Sequence, residues 1–288
     1  MIDGSILLEG VVPRIGESAD VVRDFRRRSE GAHFPQRVGE VADALRNAVD
    51  DGTRMLPLSD GIPARRFPIV TIAIIAANFA VWIFYELPHL DSSVLHASFY
   101  ACSLNGSCNA PEPWEISWFT SMFLHGSWDH ILGNMLFLGV FGKNVEDAFG
   151  RLGYLAFYVA GGFIATLTQA AMTLLAGTSA EARVPNLGAS GAIAAVLGAY
   201  FVFYPNSTVF GLIVVFPVRI SAWFFLGFWF LYQLYEANAG LFSSEAHGGG
   251  VAFFAHVGGF VFGLIVARLW VSSGRFATNA RAPLGASV

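Results

Sequence analysis

The sequence predicts an all-α membrane protein with about six transmembrane helices and a polar N-terminal extension. Three observations predict this class: the composition, the uneven placement of charge, and six long apolar stretches. Of the 288 residues, 55% are hydrophobic and only 13% are charged, whereas soluble domains carry about 25% charged residues. The net charge of −4 provides no basic field that would attract nucleic acid, so the sequence predicts no nucleic-acid partner.

The charged residues divide the chain into three parts. Residues 1–66 hold 10 Arg and 11 Asp or Glu, which is more than half of all the charged residues. We therefore expect a cytoplasmic arm (residues 1–66), a membrane body (67–272) and a short cytoplasmic tail (273–288). The apolar run Ile6–Leu8 is too short for a secretory signal peptide. Within the arm, Val38–Val49 has apolar residues at helical spacing, which predicts one short amphipathic helix.

The body contains six candidate spans, since about 20 mostly apolar residues are needed to cross a hydrocarbon core about 30 Å thick. The second is short and can extend beyond its C-terminal end, and Ser127 before it is the predicted N-cap. A further apolar run, Val209–Phe216, is interpreted as interfacial or as an extension of the fifth span. The six spans are Pro68–Tyr85, Trp128–Phe141, Leu152–Ala176, Ala189–Tyr204, Ile220–Tyr235 and Gly249–Val271.

Basic residues orient these spans, because loops rich in Lys and Arg stay on the cytoplasmic side. They alternate regularly: the loops after the first, third and fifth spans together contain one basic residue, Arg183. Both termini are therefore predicted to be cytoplasmic in a multi-pass protein of the cell membrane, with the long first loop outside. The basic residues on the cytoplasmic side are Arg65, Arg66, Lys143, Arg151, Arg219, Arg268, Arg275 and Arg281.

The two cysteines, Cys102 and Cys108, both lie in the outward loop. The space outside the cell is oxidising, which favours a local disulfide between them. Two free thiols are the alternative.

Three polar sites inside the spans are candidates for function, because ionisable and polar groups are costly in a bilayer. His130 and Asn134 are four residues apart and share a helix face. Ser190 lies between small residues at the start of the fourth span, where free N–H groups favour an oxyanion. His256 lies about seven residues into the sixth span, roughly 10 Å deep by the helical rise.

Together these side chains supply the parts for acyl transfer. A hydroxyl attacks, an imidazole takes its proton and an amide stabilises the oxyanion. Each motif alone has a structural explanation: small residues pack helices, a lone His is often a structural or transport residue, and HxxxN can join two helices. The joint occurrence of the three types at one predicted depth favours catalysis.

These residues resemble the rhomboid family of intramembrane serine proteases over about Arg66 to Val271. The resemblance implies a six-helix bundle around a water-filled cavity open to the extracytoplasmic side, with the first loop partly in the membrane and the fifth span as a gate. The motifs that carry it are HxxxN (His130, Asn134), GASG (Gly188–Gly191), AHxxGxxxG (Ala255, His256, Gly259, Gly263) and ExxxGxxxY (Glu146, Gly150, Tyr154).

The resemblance also implies the roles of the site residues. Ser190 would be the nucleophile and His256 the general base, with no metal and no cofactor. Asn134, His130 and the Ser190 N–H would form the oxyanion hole. The substrates would be single-span membrane proteins cut in or near the span. Glu146 is expected to be structural, accepting hydrogen bonds from a nearby loop.

One position departs from the family pattern. Some members carry a Tyr four residues after the nucleophile, stacked on the histidine, and this chain has Ala194 there. The residue that positions His256 is therefore open, with Trp229 and Phe253 as candidates. Two other functions are alternatives: a catalytically silent relative that binds membrane helices in trafficking or quality control, and a transporter or channel. The oligomeric state also stays open.

Overall fold

The computed structural model describes residues 55–213, 216–242, 252–274 and 276. The predicted amphipathic helix Val38–Val49 lies outside these residues. The described part is mostly helical, as predicted, but it also contains a small sheet. Its strands are β1 (Met55–Ser59), β2 (Thr208–Ile213) and β3 (Phe216–Ser221), and its helices are α1 (Ile69–Val81), α2 (Leu90–Ala97), α3 (Trp114–Thr120), α4 (Trp128–Phe137), α5 (Lys143–Phe149), α6 (Arg151–Ala176), α7 (Ser190–Phe203), α8 (Ala222–Phe242) and α9 (Phe253–Ser272).

The described helices include three that are long and apolar enough to cross a bilayer. They are α1 with its π-helical extension (Ile69–Glu86 in all), α6 and α9, and α7 is apolar but shorter. A π-helical turn, Leu138–Gly142, joins α4 directly to α5. The second predicted span thus continues as helix to Phe149, as its short length suggested. The side chain of Ser127 accepts a hydrogen bond from the His130 N–H, which confirms the predicted N-cap.

Helix α7 forms the centre of the bundle. Every residue from Gly191 to Tyr200 is buried, so this helix has no polar face and is enclosed by its neighbours. Helix α9 packs against it backbone to backbone. A Cβ added to Gly259 would lie 2.1 Å from the Gly191 carbonyl oxygen, and one on Gly263 would lie 2.0 Å from that of Ala195. The glycine pair therefore joins two helices of one chain by close approach.

The described start of the apolar run Val209–Phe216 is a strand, which corrects the alternative that this run extends the fifth span as a helix. Its N-terminal part belongs to β2, which pairs with β3 in an antiparallel hairpin that ends where α8 begins. Val, Phe and Ile are favoured in strands, and Pro217 lies in β3, which is an edge strand and tolerates proline. On its other side β2 pairs with β1. Residues 55–59, assigned to the polar arm by charge, are thus hydrogen-bonded to the membrane body.

A buried carboxylate fixes this sheet to the helices. The side chain of Asp60 is fully buried and accepts hydrogen bonds from the Tyr200 hydroxyl at 2.9 Å and from the Asn144 amide. The ammonium of Lys143 lies 3.0 Å from its other oxygen. A buried charge is tolerated only when paired and hydrogen-bonded, so β1, α5 and α7 are held together at this point.

Glu146 caps the first span. Its carboxylate accepts hydrogen bonds from the Val70 and Thr71 N–H groups and from the Thr71 hydroxyl, at 2.8–3.1 Å. These N–H groups lie in the first turn of α1, where a helix has free donors and favours negative charge. Glu146 is structural, as expected, but its donors belong to a helix end and not to a loop.

Candidate active site

The segment before Ser190 is held by backbone hydrogen bonds to the first loop. Phe99 and Asn186 exchange two such bonds, at 3.0 and 2.8 Å. The Gly188 N–H donates to the Ser121 carbonyl oxygen at 2.8 Å. Helix α7 then begins at Ser190 itself. The serine is therefore fixed at a helix N-terminus, where the first backbone N–H groups have no intrahelical acceptor.

Ser190 and His256 are in direct contact. The distance from Ser190 Oγ to His256 Nε2 is 2.7 Å, which is hydrogen-bonding distance for a hydroxyl donating to an imidazole nitrogen. His256 is buried and lies in the first turn of α9, because this helix begins at Phe253 and not at Gly249. Measured along this helix, His256 lies roughly 4.5 Å from the first residue, and not roughly 10 Å as counted from Gly249.

The other ring nitrogen of His256 contacts a residue that the sequence analysis missed. His256 Nδ1 lies 2.6 Å from Gln233 Oε1, and Gln233 is buried on α8. The sequence did contain a signal, since Gln233 is a polar side chain inside a predicted span. The two candidates named from the sequence also touch the ring: the Trp229 ring centroid is 5.8 Å from that of His256, tilted by 37°, and Phe253 is 6.4 Å away, edge-on.

Gly188 keeps a space open between His130 and Ser190. A Cβ on Gly188 would lie 2.9 Å from His130 Nε2 and 3.6 Å from Ser190 Oγ. The residue has φ +123°, a conformation that side chains with a Cβ rarely adopt. The Gly126 N–H points at His130 Nδ1 at 3.4 Å, so the neutral ring carries its proton on Nε2. That N–H faces the space beside the serine hydroxyl.

Asn134 lies on the same helix as His130, one turn further on. Its amide nitrogen is buried and has no hydrogen-bond partner among the described residues. Within that part of the chain, no hydrogen bond joins Asn134 to Ser190 or His256. The structure therefore brings Ser190 and His256 into direct contact and places His130 beside them across Gly188. It leaves the Asn134 amide as an unused buried donor on α4. Such a donor is costly unless a ligand satisfies it.

His125 lies in the loop before α4 and packs edge-on against His130, with ring centroids 5.0 Å apart. It is fully buried, and its ring faces the backbone of Phe123. Burial, with a smaller contribution from His130, lowers the pKa of His125 to about 3. His125 is therefore neutral at physiological pH, and it adds no positive charge beside the site.

A small recess adjoins Ser190. Most of its walls are small side chains or backbone, and it has room for about one water molecule next to the hydroxyl. Its polar edge is formed by Ser121, Thr166 and Asn186. The apolar lining consists of Met122, Gly162, Ala165, Leu187, Gly188, Gly191, Ala192, Ala252 and Ala255. No group of three or more His, Cys, Asp or Glu in the described residues is arranged to hold a metal ion.

The first loop is cross-linked beside the site. The structure joins Cys102 and Cys108 in a disulfide, with Cα atoms 5.5 Å apart. The Arg183 guanidinium donates to the Ser107 carbonyl oxygen at 2.8 Å, which connects this small ring to the segment that leads to Ser190. The loop that carries the disulfide thus contacts the same segment as Phe99 and Ser121.

Comparison with known proteins agrees with this arrangement. The profile of the Rhomboid domain matches residues 111–273, which is more than half of the chain and includes Ser190, His256 and the polar side chains His130, Asn134 and Gln233. This chain belongs to the rhomboid family. Rhomboid proteins act within the lipid bilayer on membrane proteins, and the apolar helices identify the chain as a membrane protein.

One rhomboid relative is "Rhomboid protein 1, mitochondrial" of Saccharomyces cerevisiae, which is 29% identical over 155 residues. The match covers 52% of this chain and 40% of the yeast protein. The chain therefore spans about two fifths of the length of that relative.

Proposed function

We propose that this rhomboid protein is an intramembrane serine endopeptidase with a Ser190–His256 dyad. The observation that carries the proposal is the 2.7 Å contact between Ser190 Oγ and His256 Nε2. A serine hydroxyl is a weak nucleophile until an adjacent base accepts its proton. Some rhomboid relatives are inactive, but this chain retains both members of the dyad in hydrogen-bonding geometry.

The proposed reaction has two halves. Ser190 Oγ attacks the substrate carbonyl carbon while His256 Nε2 takes the hydroxyl proton, and His256 then gives that proton to the leaving amine. The acyl-enzyme is hydrolysed by a water molecule, whose proton passes to His256 and then back to Ser190 Oγ. The two half-reactions consume one water and return the dyad to its starting state.

The oxyanion would be stabilised by the donors around the space beside Gly188. We propose that this space receives the substrate carbonyl oxygen, with donors from the Ser190 N–H, His130 Nε2–H and the Asn134 amide. The free Asn134 amide nitrogen supports this role, because a buried donor without a partner is already prepared for an incoming acceptor. The small walls of the adjacent recess favour a small side chain next to the cleaved bond.

The proposed substrates are single-span membrane proteins, cut within or beside their membrane segment. A helical peptide bond is shielded, so segments that unwind easily, such as those containing Gly, are expected to be cut best. We further propose a six-span protein of the cell membrane with both termini in the cytoplasm and the active site open to the other side. The loop charges support this orientation, as does the disulfide in the first loop.

Cleavage of a single-span test substrate in liposomes tests the proposal. The wild-type chain is expected to cut, and Ser190→Ala and His256→Ala are expected to lose at least about 10³-fold in rate, as for other serine nucleophiles and their bases. Similar rates in either variant would refute the assigned residue. Failure of the wild type to cut any of a panel of Gly-containing spans, with substrate bound, would support the silent helix-binding alternative.

A further inference from the structure

The geometry points to Gln233 as a positioning residue that holds the catalytic base in the tautomer that the reaction requires. This inference rests on the proposed function, because it assigns a role in the same site. It also answers the question raised by Ala194, where some rhomboid proteins carry a stacking tyrosine. In this chain the histidine is positioned by a polar side chain from a different helix.

The tautomer follows from the two hydrogen bonds of the His256 ring. Ser190 Oγ–H can donate to Nε2 only if that nitrogen is unprotonated. In the neutral ring the proton is then on Nδ1. The Gln233 amide oxygen, 2.6 Å from Nδ1, can only accept a hydrogen bond. Gln233 therefore stabilises the tautomer in which Nε2 faces the serine as an acceptor.

The surroundings leave Gln233 as the main polar contact of this nitrogen. Gln233 and His256 are 5% and 9% exposed, so bulk water does not compete for the bond. Trp229 and Phe253 contact the ring through apolar surfaces at centroid distances of 5.8 and 6.4 Å. These rings restrict tilting, but they cannot distinguish the two nitrogens. Among the described residues, the titratable side chain that faces His256 from another helix is His130 of α4.

The amide also differs from the carboxylate of a serine–histidine–aspartate triad. It orients the ring as the aspartate does, but it carries no charge to stabilise the imidazolium. An uncharged residue suits a buried position in a membrane helix, where a carboxylate is costly. Because Gln233 is on α8 and His256 is on α9, the bond exists only while these two helices are packed together. Displacement of α8 would therefore release the base.

Two variants of Gln233 test the inference by kinetics in liposomes. Ser190→Ala and the control Gln169→Leu are assayed beside them. Gln233→Leu should lower kcat about 10²-fold with little change in KM, because a misplaced base costs about that much without weakening substrate binding. The kcat of Gln233→Glu should be at least about tenfold higher than that of Gln233→Leu, because a carboxylate oxygen can also accept the Nδ1–H bond. It should also move the acidic limb of the pH–rate profile to higher pH, because a carboxylate favours the protonated imidazole.

Gln169→Leu is the matched control. It removes a half-buried amide from α6 that accepts a hydrogen bond from the Ala255 N–H, adjacent to His256 in sequence, at 3.2 Å. The control should leave the pH–rate profile unchanged. Wild-type kcat and an unshifted profile in Gln233→Leu, or Gln233→Glu as slow as Gln233→Leu with an unshifted profile, would overturn the inference. If Gln233→Leu does not fold, the profile of Gln233→Glu decides.

A spectroscopic measurement separates this inference from the proposed function. In ¹⁵N spectra of the histidine-labelled protein, the His256 signal, identified by its loss in His256→Ala, should show the Nδ1–H tautomer. Gln233→Leu should shift it toward a mixture of tautomers. An unchanged tautomer would overturn the role of Gln233 whatever the protease assay gives. If Ser190→Ala cuts like the wild type, the proposed function fails while the tautomer result still stands.

Discussion

At the scale of single residues, the site depends on one position that has no side chain. Gly188 occupies a left-handed conformation at φ +123°, and the space that its missing Cβ leaves lies between His130 Nε2 and Ser190 Oγ. The sequence motif places a glycine here, but only the geometry explains why no larger residue fits. Any other residue at this position would strain the backbone, and its Cβ would obstruct the proposed oxyanion site.

Gly188→Ala is therefore expected to lower kcat by about 10²–10³-fold, the loss found when an oxyanion contact is removed. The melting temperature should fall as well, because alanine is strained at φ +123° and its Cβ would lie 2.9 Å from His130 Nε2. Gly133→Ala is the control, since a Cβ there has no atom within 4 Å, and its melting temperature should equal or exceed that of the wild type. Wild-type turnover by Gly188→Ala would contradict the location of the oxyanion site.

Residue types could be predicted from sequence better than their partners. Ser190 and His256 stand out as polar groups in apolar spans, and their contact in the structure joins two motifs 66 residues apart. Gln233 is also a polar residue in an apolar span, but it belongs to none of the family motifs. Only the packing of α8 against α9 shows that it contacts His256 Nδ1. The contribution of Asn134 likewise depends on a substrate oxygen that no sequence pattern can locate.

At the scale of elements, hydrophobic length located the long apolar helices but not their ends, since the second span continues as helix to Phe149 and α8 continues to Phe242. It did not predict the short helices α2 and α3 of the first loop. It also missed β2, because a short apolar run has no periodicity that distinguishes strand from helix. The error hid a sheet whose first strand, β1, comes from a charged segment more than 140 residues earlier. The described helix α9 begins at Phe253, four residues after the predicted start of the sixth span.

The attachment of β1 can be tested at Asp60. Asp60→Ala should lower the stability of the protein by about 3 kcal/mol. It leaves Lys143 without its buried partner and removes the acceptor of two hydrogen bonds, from Tyr200 and Asn144. The measurement is thermal or denaturant unfolding in detergent. Adding Lys143→Met to Asp60→Ala should recover part of the loss, because the unpaired charge is removed as well. Equal stability of Asp60→Ala and wild type would show that this contact does not hold β1 to the helices.

At the scale of the whole molecule, the proposed orientation in the membrane follows from the loop charges. The proposal sets the disulfide-bearing loop and the mouth of the active site outside, and Arg65 and Lys143 in the cytoplasm. The described elements agree with this orientation. Ser190 lies at one end of the helices, and the sheet and the Asp60 contacts lie at the other end. Ser190 begins α7, whereas Tyr200, which contacts Asp60, lies near its C-terminal end.

Labelling of single cysteines tests this orientation. In a chain in which Cys102 and Cys108 are replaced by Ala, a cysteine at Asn109 should react with a membrane-impermeant maleimide on intact cells. A cysteine at Arg65 should react only after the cells are permeabilised. Both native residues are exposed in the structure, so access is limited by the membrane alone. The reverse pattern would contradict the proposed topology.

The measurement that tests the central claim most directly is the location of a fluorophosphonate adduct by mass spectrometry. The reagent phosphonylates a serine only where a base activates its hydroxyl. We predict a single adduct on Ser190 in the wild-type chain, and its loss in both Ser190→Ala and His256→Ala. An adduct on another serine, or undiminished labelling of Ser190 in His256→Ala, would contradict the proposed dyad.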